Sequence, residues 1–368
     1  MKNRFNTDKK IADTKVVVAM SGGVDSSVAA VMLHREGYQV IGVTLQLYDV
    51  GLTLEKKGAC CAGKDIYDAK NVADTVGFPH YVLNYENLFK EEVMEDFADS
   101  YLRGETPIPC VKCNQSVKFR DLYKVAKDLS ADALVTGHYV QRLDKDGEAQ
   151  LHKAIDDTKD QSYFLFATTK DQLEYIYFPL GGMKKEDTRK LAEEYGLEVA
   201  DKPDSQDICF VPNGSYTKVI ERLRPGAWES GDIVHVNGEK LGTHNGIVHY
   251  TIGQRKGLGI SWHEPLYVVK IEAANNKVIV GADSDLDSHT FNIRDINWLG
   301  VGKMPQSGLE VMVKTRSVQQ PITAIIESVN DNYATIKLPI PQRAISPGQA
   351  CVMYDGSRVL GGGWIVRD

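Results

Sequence analysis

Three of the six cysteines stand in settings that could carry sulfur chemistry. Cys110 and Cys113 have a Cys-x-x-Cys spacing immediately before a segment with helical character, and Cys209 lies far downstream. Because the dipole and free N–H groups of a helix N-terminus favour a thiolate, the spacing predicts activated thiols at Cys110 and Cys113. A thiolate is a strong nucleophile, and a second thiol can resolve a persulfide by exchange. The pattern therefore favours metal or redox work over a disulfide scaffold, for which six cysteines are few.

The other three cysteines have weaker settings. Isolated cysteines are mostly small buried hydrophobes, which is the interpretation given to Cys60, Cys61 and Cys351. Cys60 and Cys61 follow a Gly-containing loop and could instead form an exposed pair, so they are given no role.

A second chemical signal is the loop SGGVDSS at residues 21–27, between the apolar run Val16–Met20 and a helical pattern. Its glycines let a backbone approach a ligand closely, and N–H groups at a helix start form an anion pocket. Neither a Walker Gly-Lys-Ser/Thr nor a Gly-x-Gly-x-x-Gly fingerprint is present. The loop resembles the pyrophosphate-binding loop of ATP pyrophosphatases. The alternative is a tight turn rich in small residues.

Enzymes with such a loop split ATP to AMP and pyrophosphate while adenylating a carbonyl oxygen of their substrate. A carbonyl oxygen leaves poorly, whereas the adenylated oxygen can be displaced by a nucleophile. Amines and sulfur both serve as that nucleophile in this superfamily. The loop thus predicts the activation step, and the cysteines favour sulfur as the nucleophile.

The elements that must position these residues follow from the hydrophobic pattern. Apolar runs without alternation are predicted strands, separated by helical patterns, and this order is typical of a parallel sheet covered on both faces. We predict a doubly wound α/β domain with a helical extension over residues 1–211. The strands are predicted at 15–20, 39–45, 80–83 and 133–136, and the helices at 24–36, 64–76, 86–101 and 184–195, the region 170–195 being helical in pattern.

The remainder of the chain has a different pattern. From about Pro212 helical periodicity is absent, and short β-rich runs alternate with Gly, Asn, Asp and Pro turns, which is typical of small barrels or sandwiches. The polar, acidic stretch 282–288 is the candidate boundary between two modules. We therefore predict a small central β-rich domain over 212–285 and a C-terminal β-barrel over 286–368.

Several motifs occur together and in order: the phosphate loop, Cys113-Asn114, the sequence TGHY at 136–139, KDQSY at 159–163 and the segment around Cys209. With them the chain resembles the tRNA-specific 2-thiouridylases of the MnmA/TrmU family over essentially its whole length. The resemblance implies a three-domain enzyme that replaces the C2 oxygen of the wobble uridine of certain tRNAs by sulfur. It further implies a persulfide on Cys209, supplied by a sulfur-relay donor protein, and completion of the transfer by Cys113, which leaves a transient Cys113–Cys209 disulfide.

The resemblance also implies binding residues. For ATP these are Ala19, Met20, Ser21, Gly22, Gly23, Val24, Asp25, Ser26, Leu45 and Gly137. For tRNA they are Ile108, Pro109, Cys110, His138, Lys159, Asp160, Gln161, Arg316, Ser317 and Gln349. Leu45 would pack on the adenine ring or be a core aliphatic. His138 could be simply hydrogen-bonded, Lys159–Gln161 could be a charged helix start, and Gln349 a turn residue. Ser317 stands where tyrosine is common in the family.

Cys110 departs from the family, in which many members have aspartate at this position. Three cysteines, Cys110, Cys113 and Cys209, could instead hold three irons of a [4Fe–4S] cluster. A structural or zinc role is the third interpretation, although the usual fourth zinc ligand is absent from the sequence neighbourhood. The persulfide–disulfide route and the cluster route remain open from the sequence.

Composition limits the partners and the compartment. The net charge of −7 argues weakly against nucleic-acid binding, but from His289 onward eight Lys/Arg stand against six Asp/Glu. No apolar run of membrane length and no secretory signal core is found, which predicts a cytoplasmic protein. Mg²⁺ is expected with ATP. Two rival functions are another synthetase or amidotransferase with the same loop, and an RNA-binding protein with a vestigial ATP site.

Overall fold

The computed structural model describes residues 3–48, 61–204, 207–211 and 214–366, with no account of the side chains of residues 61 and 62. The chain divides into two compact units. The first comprises residues 1–93, 110–210 and 357–359, and the second comprises 94–109, 211–356 and 360–368. The predicted domain boundary between residues 211 and 212 lies beside residues 212–213, which the structure does not describe. The division into three domains stays a prediction.

Seventeen strands run along the described chain. They are β1 Lys15–Ala19, β2 Gln39–Gln46, β3 His80–Asn84, β4 Ala133–Thr136, β5 Val140–Lys145, β6 Glu148–Lys153, β7 Ile176–Tyr177, β8 Gly231–His235, β9 Lys240–His244, β10 Tyr267–Glu272, β11 Lys277–Gly281, β12 Asp287–Trp298, β13 Glu310–Lys314, β14 Ile322–Asn330, β15 Tyr333–Arg343, β16 Ala350–Asp355 and β17 Arg358–Val366.

Nine α-helices accompany them in the described ranges. They are α1 Val24–Arg35, α2 Cys61–Val76, α3 Glu86–Phe89, α4 Asp96–Leu102, α5 Pro109–Lys112, α6 Leu122–Asp128, α7 Lys170–Leu173, α8 Lys185–Glu194 and α9 Tyr216–Leu223. Two π-helical segments, Lys90–Glu95 and Cys113–Asp121, interrupt the α-helical geometry.

The first unit is built on a five-stranded sheet with the order β3-β2-β1-β4-β7. Every neighbouring pair in this sheet is parallel. The inner strand β1 is buried over Val16–Val18, and all four residues of β4 are buried, as expected for strands covered on both faces. The predicted doubly wound parallel α/β fold is confirmed.

The strand order reverses beside β1, because β2 lies on one side of it and β4 on the other. In open α/β sheets ligands bind beyond the carboxyl ends of the strands at such a switch point. The phosphate loop follows β1, and Gly137 follows β4, so the topology places both at this edge.

Some predicted helices differ from the structure. The predicted helix 86–101 is divided into α3, a π-helical segment and α4, which the apolar spacing alone does not reveal. The region 170–195 contains α7, the short strand β7 and α8 rather than continuous helix. The β5–β6 hairpin was not predicted; its left-handed turn residues are Asp146 and Gly147.

The second unit is mainly β, as predicted. Strands β8 to β11 form a four-stranded sheet, and β12 to β17 form a six-stranded barrel that the β12–β17 pairing closes. The barrel core is apolar and includes Val313, Ile336 and Met353. The expectation that helical character ends near residue 212 was wrong, since α9 is a helix with buried Val219 and Ile220. No helix of the described residues is long and apolar enough to span a membrane.

Candidate active site

The serines of the phosphate loop form hydrogen bonds within the loop itself. Ser21 N donates to Ser26 Oγ over 3.1 Å, and the Ser27 hydroxyl donates to Gly23 O over 2.9 Å. Helix α1 begins immediately afterwards, with Gly23 at its N-cap and no side chain bonded there as a cap. The first N–H groups of a helix lack intrahelical partners, so they can bind an anion at this loop.

Two glycines bring other segments against the loop. Gly22 has φ +73°, and a Cβ there would lie 2.0 Å from Asp65 O in α2. A Cβ on Gly137 would lie 2.8 Å from Ser26 N. Neither position can hold a side chain without moving backbone, so both glycines are required by close packing around the loop.

The remaining residues predicted to bind ATP lie along the same sheet edge. Ala19 is the last residue of β1, Met20 is buried after it, and Val24 is buried at the start of α1. Leu45 is half-buried near the end of β2 and pairs in register with Leu83. The structure brings the predicted residues of the loop, Leu45 and Gly137 to one edge.

Asp25 is the centre of a charged cluster that sequence reasoning missed. Lys185 Nζ lies 2.7 and 2.8 Å from the two Asp25 carboxylate oxygens and 2.8 Å from Asp204 Oδ1. Tyr139 donates its hydroxyl hydrogen to Asp25 Oδ1 over 2.9 Å. The Lys185 side chain is only 9% exposed, so a nearly buried cation joins two carboxylates that are distant in sequence.

Asp204 is ionised in this cluster. Burial opposes its ionisation, but the bonds from Lys159 and Lys185 outweigh burial and hold its pKa at about 2. Arg189 Nη2 lies 3.1 Å from Asp204 Oδ1 as a third cation. Asp204 belongs to the segment that carries Cys209, but a single sequence gives no signal for partners on other elements.

A second missed lysine contacts the loop directly. Lys202 Nζ donates to Gly22 O over 2.8 Å and lies 2.6 Å from both Asp65 and Asp68 of α2. Burial opposes the charge on Lys202, but the two carboxylates outweigh it and raise its pKa. Lys202 therefore remains a cation beside the phosphate loop at physiological pH.

The cysteine centre is contributed by two segments. Cys110 is exposed within α5, and Cys113 is buried, 7% exposed, at the start of the π-helical segment. Cys209 is exposed on a segment that has no helix or strand at residues 207–211. Cys110, Cys113 and Cys209 are all free thiols, and ionisation of either of the first two raises the pKa of Cys209. The three residues therefore lie close enough for their charges to interact.

The prediction of activated thiols from a helix N-terminus was wrong for this conformation. Desolvation by the surrounding protein raises the pKa of the buried Cys113 and also that of Cys110, although Cys110 is partly open to solvent. Cys209 is an exposed residue, yet desolvation of its thiol by the surrounding protein, together with the two neighbouring thiols, raises its pKa to about 12. Desolvation disfavours the thiolate more than the short helix start favours it, so the three groups are protonated at neutral pH.

Lys118 is the cation that opposes this effect. Its charge lowers the pKa of Cys110, Cys113 and Cys209. Lys118 follows Cys113 by five residues in the π-helical segment, and i→i+5 bonding places such residues about one turn apart on the helix. The cysteine spacing alone could not reveal this pairing, since α-helical geometry would place Lys118 on another face.

His138 lies close enough to Lys118 for the lysine charge to act on its imidazole. Its Nδ1 is 2.7 Å from Thr136 Oγ1, and its ring meets Phe119 edge-on at 5.9 Å. Burial, assisted by the Lys118 charge, lowers the pKa of His138 to about 3. His138 is therefore neutral at physiological pH and already bonded to Thr136.

The described residues do not include a group of three His, Cys, Asp or Glu side chains arranged to hold a metal ion. The alternative in which Cys110, Cys113 and Cys209 hold a [4Fe–4S] cluster therefore gains no support from the described residues. The Asp25, Asp65 and Asp68 carboxylates are each paired with lysine. Mg²⁺ accompanying ATP would accordingly be held mainly by phosphate oxygens and water.

The predicted tRNA residues of the first unit make internal contacts. Lys159 Nζ lies 2.7 Å from Asp204 Oδ2, and Asp160 accepts from the N–H groups of Ala154 and Ser162. Gln161 accepts from Tyr139 N over 2.9 Å. These side chains order the chain beside the charged cluster, and their contact with tRNA stays a prediction.

The predicted tRNA residues of the second unit are spread more widely. Arg316 is exposed and donates to Ala344 O, and Ser317 beside it is half-buried. Gln349 Nε2 donates to Thr106 O over 2.9 Å, which holds the segment leading to Ile108 and Pro109. Ile108 is buried, and Pro109 is the first residue of α5. Gln349 therefore has a structural role, and its contact with tRNA stays a prediction.

The remaining cysteines offer no further site. Cys351 is fully buried in the barrel core, as predicted. Cys60 and the side chain of Cys61 lie outside the described residues.

Comparison with known proteins gives one consistent result along the chain. The sequence matches the family described as tRNA methyl transferase HUP domain over residues 14–213. It then matches tRNA methyl transferase PRC-barrel domain over 218–282 and Aminomethyltransferase beta-barrel domain over 288–365. It is 62% identical over 353 residues to the tRNA-specific 2-thiouridylase MnmA of Rickettsia bellii (strain OSU 85-389), with 96% of each chain covered. It is 60% identical over 353 residues to the enzyme of the same name from Rickettsia conorii, covering 96% and 95%.

Solved structures give weaker likenesses. A 4-thiouridine synthetase–RNA complex with bound ATP aligns at a TM-score of 0.37 and 22% identity, over 58% of this chain and 51% of that one. NMN synthetase from Francisella tularensis aligns at 0.33 and 16%, over 57% and 76%. At these scores the structural likenesses carry no argument.

Proposed function

Since the chain belongs to the tRNA-specific 2-thiouridylase MnmA family, as its motifs predicted, we propose that it is an ATP-dependent tRNA-uridine 2-sulfurtransferase acting on the wobble uridine. The observation that carries the proposal is that one compact unit contains both parts the reaction needs. The phosphate loop serves to activate an oxygen, and the neighbouring thiols serve to deliver sulfur. The rival functions require no pair of interacting thiols such as Cys113 and Cys209.

Activation takes place at the loop. The phosphates of ATP bind the N–H groups at the start of α1, with Gly22 and Gly23 allowing close approach. The uridine O2 attacks the α-phosphorus, the bond to the bridging oxygen breaks, and pyrophosphate leaves. The product is uridine with AMP on O2, which is a good leaving group. Mg²⁺ bound to the phosphates would neutralise the charge of the leaving pyrophosphate.

Sulfur delivery uses the two predicted catalytic cysteines. The terminal sulfur of a Cys209 persulfide, supplied by a persulfide donor protein, attacks C2 and displaces AMP. The Cys113 thiolate then attacks Cys209 Sγ, which breaks the bond to the transferred sulfur and releases 2-thiouridine. A Cys113–Cys209 disulfide remains, and an external thiol must reduce it before the next turnover.

The position of each thiol suits its role. Cys209 is exposed, so a donor protein can reach it, whereas Cys113 is buried and protected from unrelated oxidants. Lys118 would stabilise the anion that forms when either thiol loses its proton. Cys110 has no required step in this route.

Binding of tRNA is proposed to use the predicted residues of both units, from Ile108 to Cys110, His138, Lys159 to Gln161, and Arg316, Ser317 and Gln349. Their support is the family membership, together with the exposure of Arg316. Neutral His138 would contact RNA as a hydrogen-bonding or stacking group rather than as a cation.

The test is a reconstituted reaction with unmodified tRNA transcript, ATP and a persulfide-generating enzyme. We expect tRNA-dependent pyrophosphate release together with 2-thiouridine, measured by retardation of the tRNA in an organomercury gel. Pyrophosphate release accompanied by an aminated or aminoacylated product would identify another synthetase. Binding of tRNA with no pyrophosphate release would identify an RNA-binding protein.

A further inference from the structure

The segment that carries Cys209 is fixed in place by side chains. No helix or strand covers residues 202–204 or 207–211, so backbone ladders do not determine where Cys209 lies. Described side-chain contacts of Lys202, Asp204 and Phe210 attach this segment to the rest of the first unit.

The first contact joins the segment to the phosphate loop itself. Lys202 Nζ donates to Gly22 O over 2.8 Å, and Gly22 is the loop residue with φ +73°. The same ammonium group lies 2.6 Å from Asp65 Oδ1 and from Asp68 Oδ2. Lys202 is thus held by three acceptors, one of which is loop backbone.

The second contact reaches the loop through one intermediate residue. Asp204 Oδ1 lies 2.8 Å from Lys185 Nζ, which in turn lies 2.7 Å from Asp25 Oδ1. Because Lys185 is nearly buried between two carboxylates, loss of either carboxylate would leave its charge with poorer compensation. Asp25 belongs to the loop, so the segment is joined to the loop at two residues.

The other end of the segment is apolar. Phe210, immediately after Cys209, is buried and meets Phe89 edge-on at a ring distance of 5.7 Å. Cys209 therefore lies between an ionic attachment to the phosphate loop and an aromatic attachment to α3.

We propose that Lys185, Lys202 and Asp204 are positioning residues that couple nucleotide binding at the phosphate loop to the placement and reactivity of Cys209. The proposal rests on the proposed function, in which ATP binds this loop and Cys209 carries the sulfur. A bound triphosphate fixes the loop, and the two attachments transmit that constraint to the segment. Sulfur delivery is thereby linked to activation within one unit.

The experiment measures Cys209 alone. The full-length protein is alkylated with iodoacetamide with and without α,β-methylene-ATP, which cannot release pyrophosphate. The modified fraction of the Cys209 peptide is followed by mass spectrometry. We expect saturating analogue to slow alkylation of wild-type Cys209 by at least about fivefold, the lower end of typical coupling between sites. No effect of the analogue on wild-type Cys209 would overturn the proposal.

Variants distinguish coupling through Lys202 and Asp204 from direct shielding of Cys209 by the bound nucleotide. Asp204→Asn and Lys202→Met should still bind the analogue, checked by titration, but the protection should fall below about twofold, outside the usual coupling range. Asp204→Glu and Lys202→Arg, which keep the charges, should restore it. Protection that persists in Asp204→Asn and Lys202→Met would show that the nucleotide shields Cys209 directly, and it would overturn the assignment.

The matched controls lie on α8. Lys190 and Asp187 form an exposed pair at 3.3 Å, so Lys190→Met and Asp187→Asn remove the same charges without touching the loop and should keep full protection. Loss of protection in these controls as well would contradict the assignment. Thiolation by the wild-type protein is measured in parallel. If the wild-type protein makes 2-thiouridine but the analogue does not slow alkylation of Cys209, only the coupling is refuted. If the analogue slows alkylation of Cys209 but the protein makes no 2-thiouridine, the proposed function is refuted.

Discussion

The phosphate loop and the cysteine centre lie in the same unit but are built in different ways. The loop is formed by consecutive residues, between a buried strand and a helix, and its serines bond within the loop itself. The cysteine centre combines α5 and the π-helical segment after it with residues 207–211, which have no helix or strand and lie roughly a hundred residues further along the chain. The shape of the loop follows from contacts between neighbouring residues, whereas the arrangement of the thiols depends on side chains from several elements.

The electrostatics of the two regions differ as well. Around the loop each described carboxylate has a lysine partner, and the pKa of Asp204 is held at about 2. Around the cysteines burial dominates and raises all three thiol pKa values, with Lys118 as the opposing cation. Lysines held in ion pairs beside the loop suit the binding of an anion. Thiols that are protonated at neutral pH suit a reaction that begins only after the substrate has bound.

The largest expected effect comes from a side chain at Gly22. Gly22→Ala combines a left-handed backbone with a Cβ placed 2.0 Å from Asp65 O, so the loop or α2 must move. We expect loss of tRNA-dependent pyrophosphate release and a fall in unfolding free energy of about 2 kcal/mol or more. Urea unfolding and a pyrophosphate assay measure the two effects.

Gly77 provides the matched control for this substitution. It also has positive φ, +95°, but nothing lies within 4 Å of a Cβ there. Gly77→Ala should therefore show backbone strain only and keep pyrophosphate release. Equal losses in the two variants would mean that close packing at the loop is unimportant.

A smaller effect is expected for tRNA binding by the barrel. Arg316 is exposed, so Arg316→Ala should weaken tRNA binding severalfold and reduce the slope of log affinity against log salt by about 1. Filter binding at several salt concentrations measures both. Arg294, a half-buried barrel residue paired with Asp295, is the control. If Arg294→Ala weakens binding as much as Arg316→Ala, the predicted contact is not specific.

The third prediction concerns the pH dependence of the thiols. Lys118→Met removes the cation that lowers the pKa of Cys110 and Cys209, so both pKa values rise and the thiolate fraction at a given pH falls. We expect alkylation of these cysteines at pH 8 to slow between about twofold and tenfold, with the rate–pH profile displaced to higher pH. Lys112→Met, on the same helical stretch, should leave the profile unchanged. An unshifted profile in Lys118→Met would remove Lys118 from the thiol chemistry.

The smallest effect is expected at Cys110. Because the persulfide route changes the redox state of Cys113 and Cys209 only, Cys110→Asp should retain substantial thiolation in air with a persulfide donor. Thiouridine formation and iron content are measured on the same preparations. Iron and activity that disappear together in this variant would establish the cluster route instead.

These contrasts also explain how much the sequence could predict. The parallel sheet and the loop follow from apolar runs and consecutive glycines, which report local structure, and the predicted fold class was correct. The π-helical segment, the burial of Cys113 and the pairing of Lys185 with Asp25 depend on packing between elements. No residue spacing in one sequence encodes them, so the thiols were predicted to be activated where burial in fact raises their pKa values.

The motifs around the cysteines could nevertheless have drawn attention to their neighbours. Lys202 and Asp204 stand in the same short segment as Cys209, and Lys118 stands five residues after Cys113. Their charges were visible in the sequence. What was missing was the partner of each charge, which only the tertiary structure supplies.

In the proposed mechanism, activation and sulfur delivery are separate steps carried by separate regions of the first unit. The most direct measurement is a single-turnover reaction of Cys209→Ser with labelled ATP, tRNA and the persulfide donor, scored for AMP and for 2-thiouridine. We predict tRNA-dependent AMP formation close to the wild-type amount and no 2-thiouridine. Formation of 2-thiouridine by Cys209→Ser, or complete loss of AMP formation in a folded variant, would contradict the account.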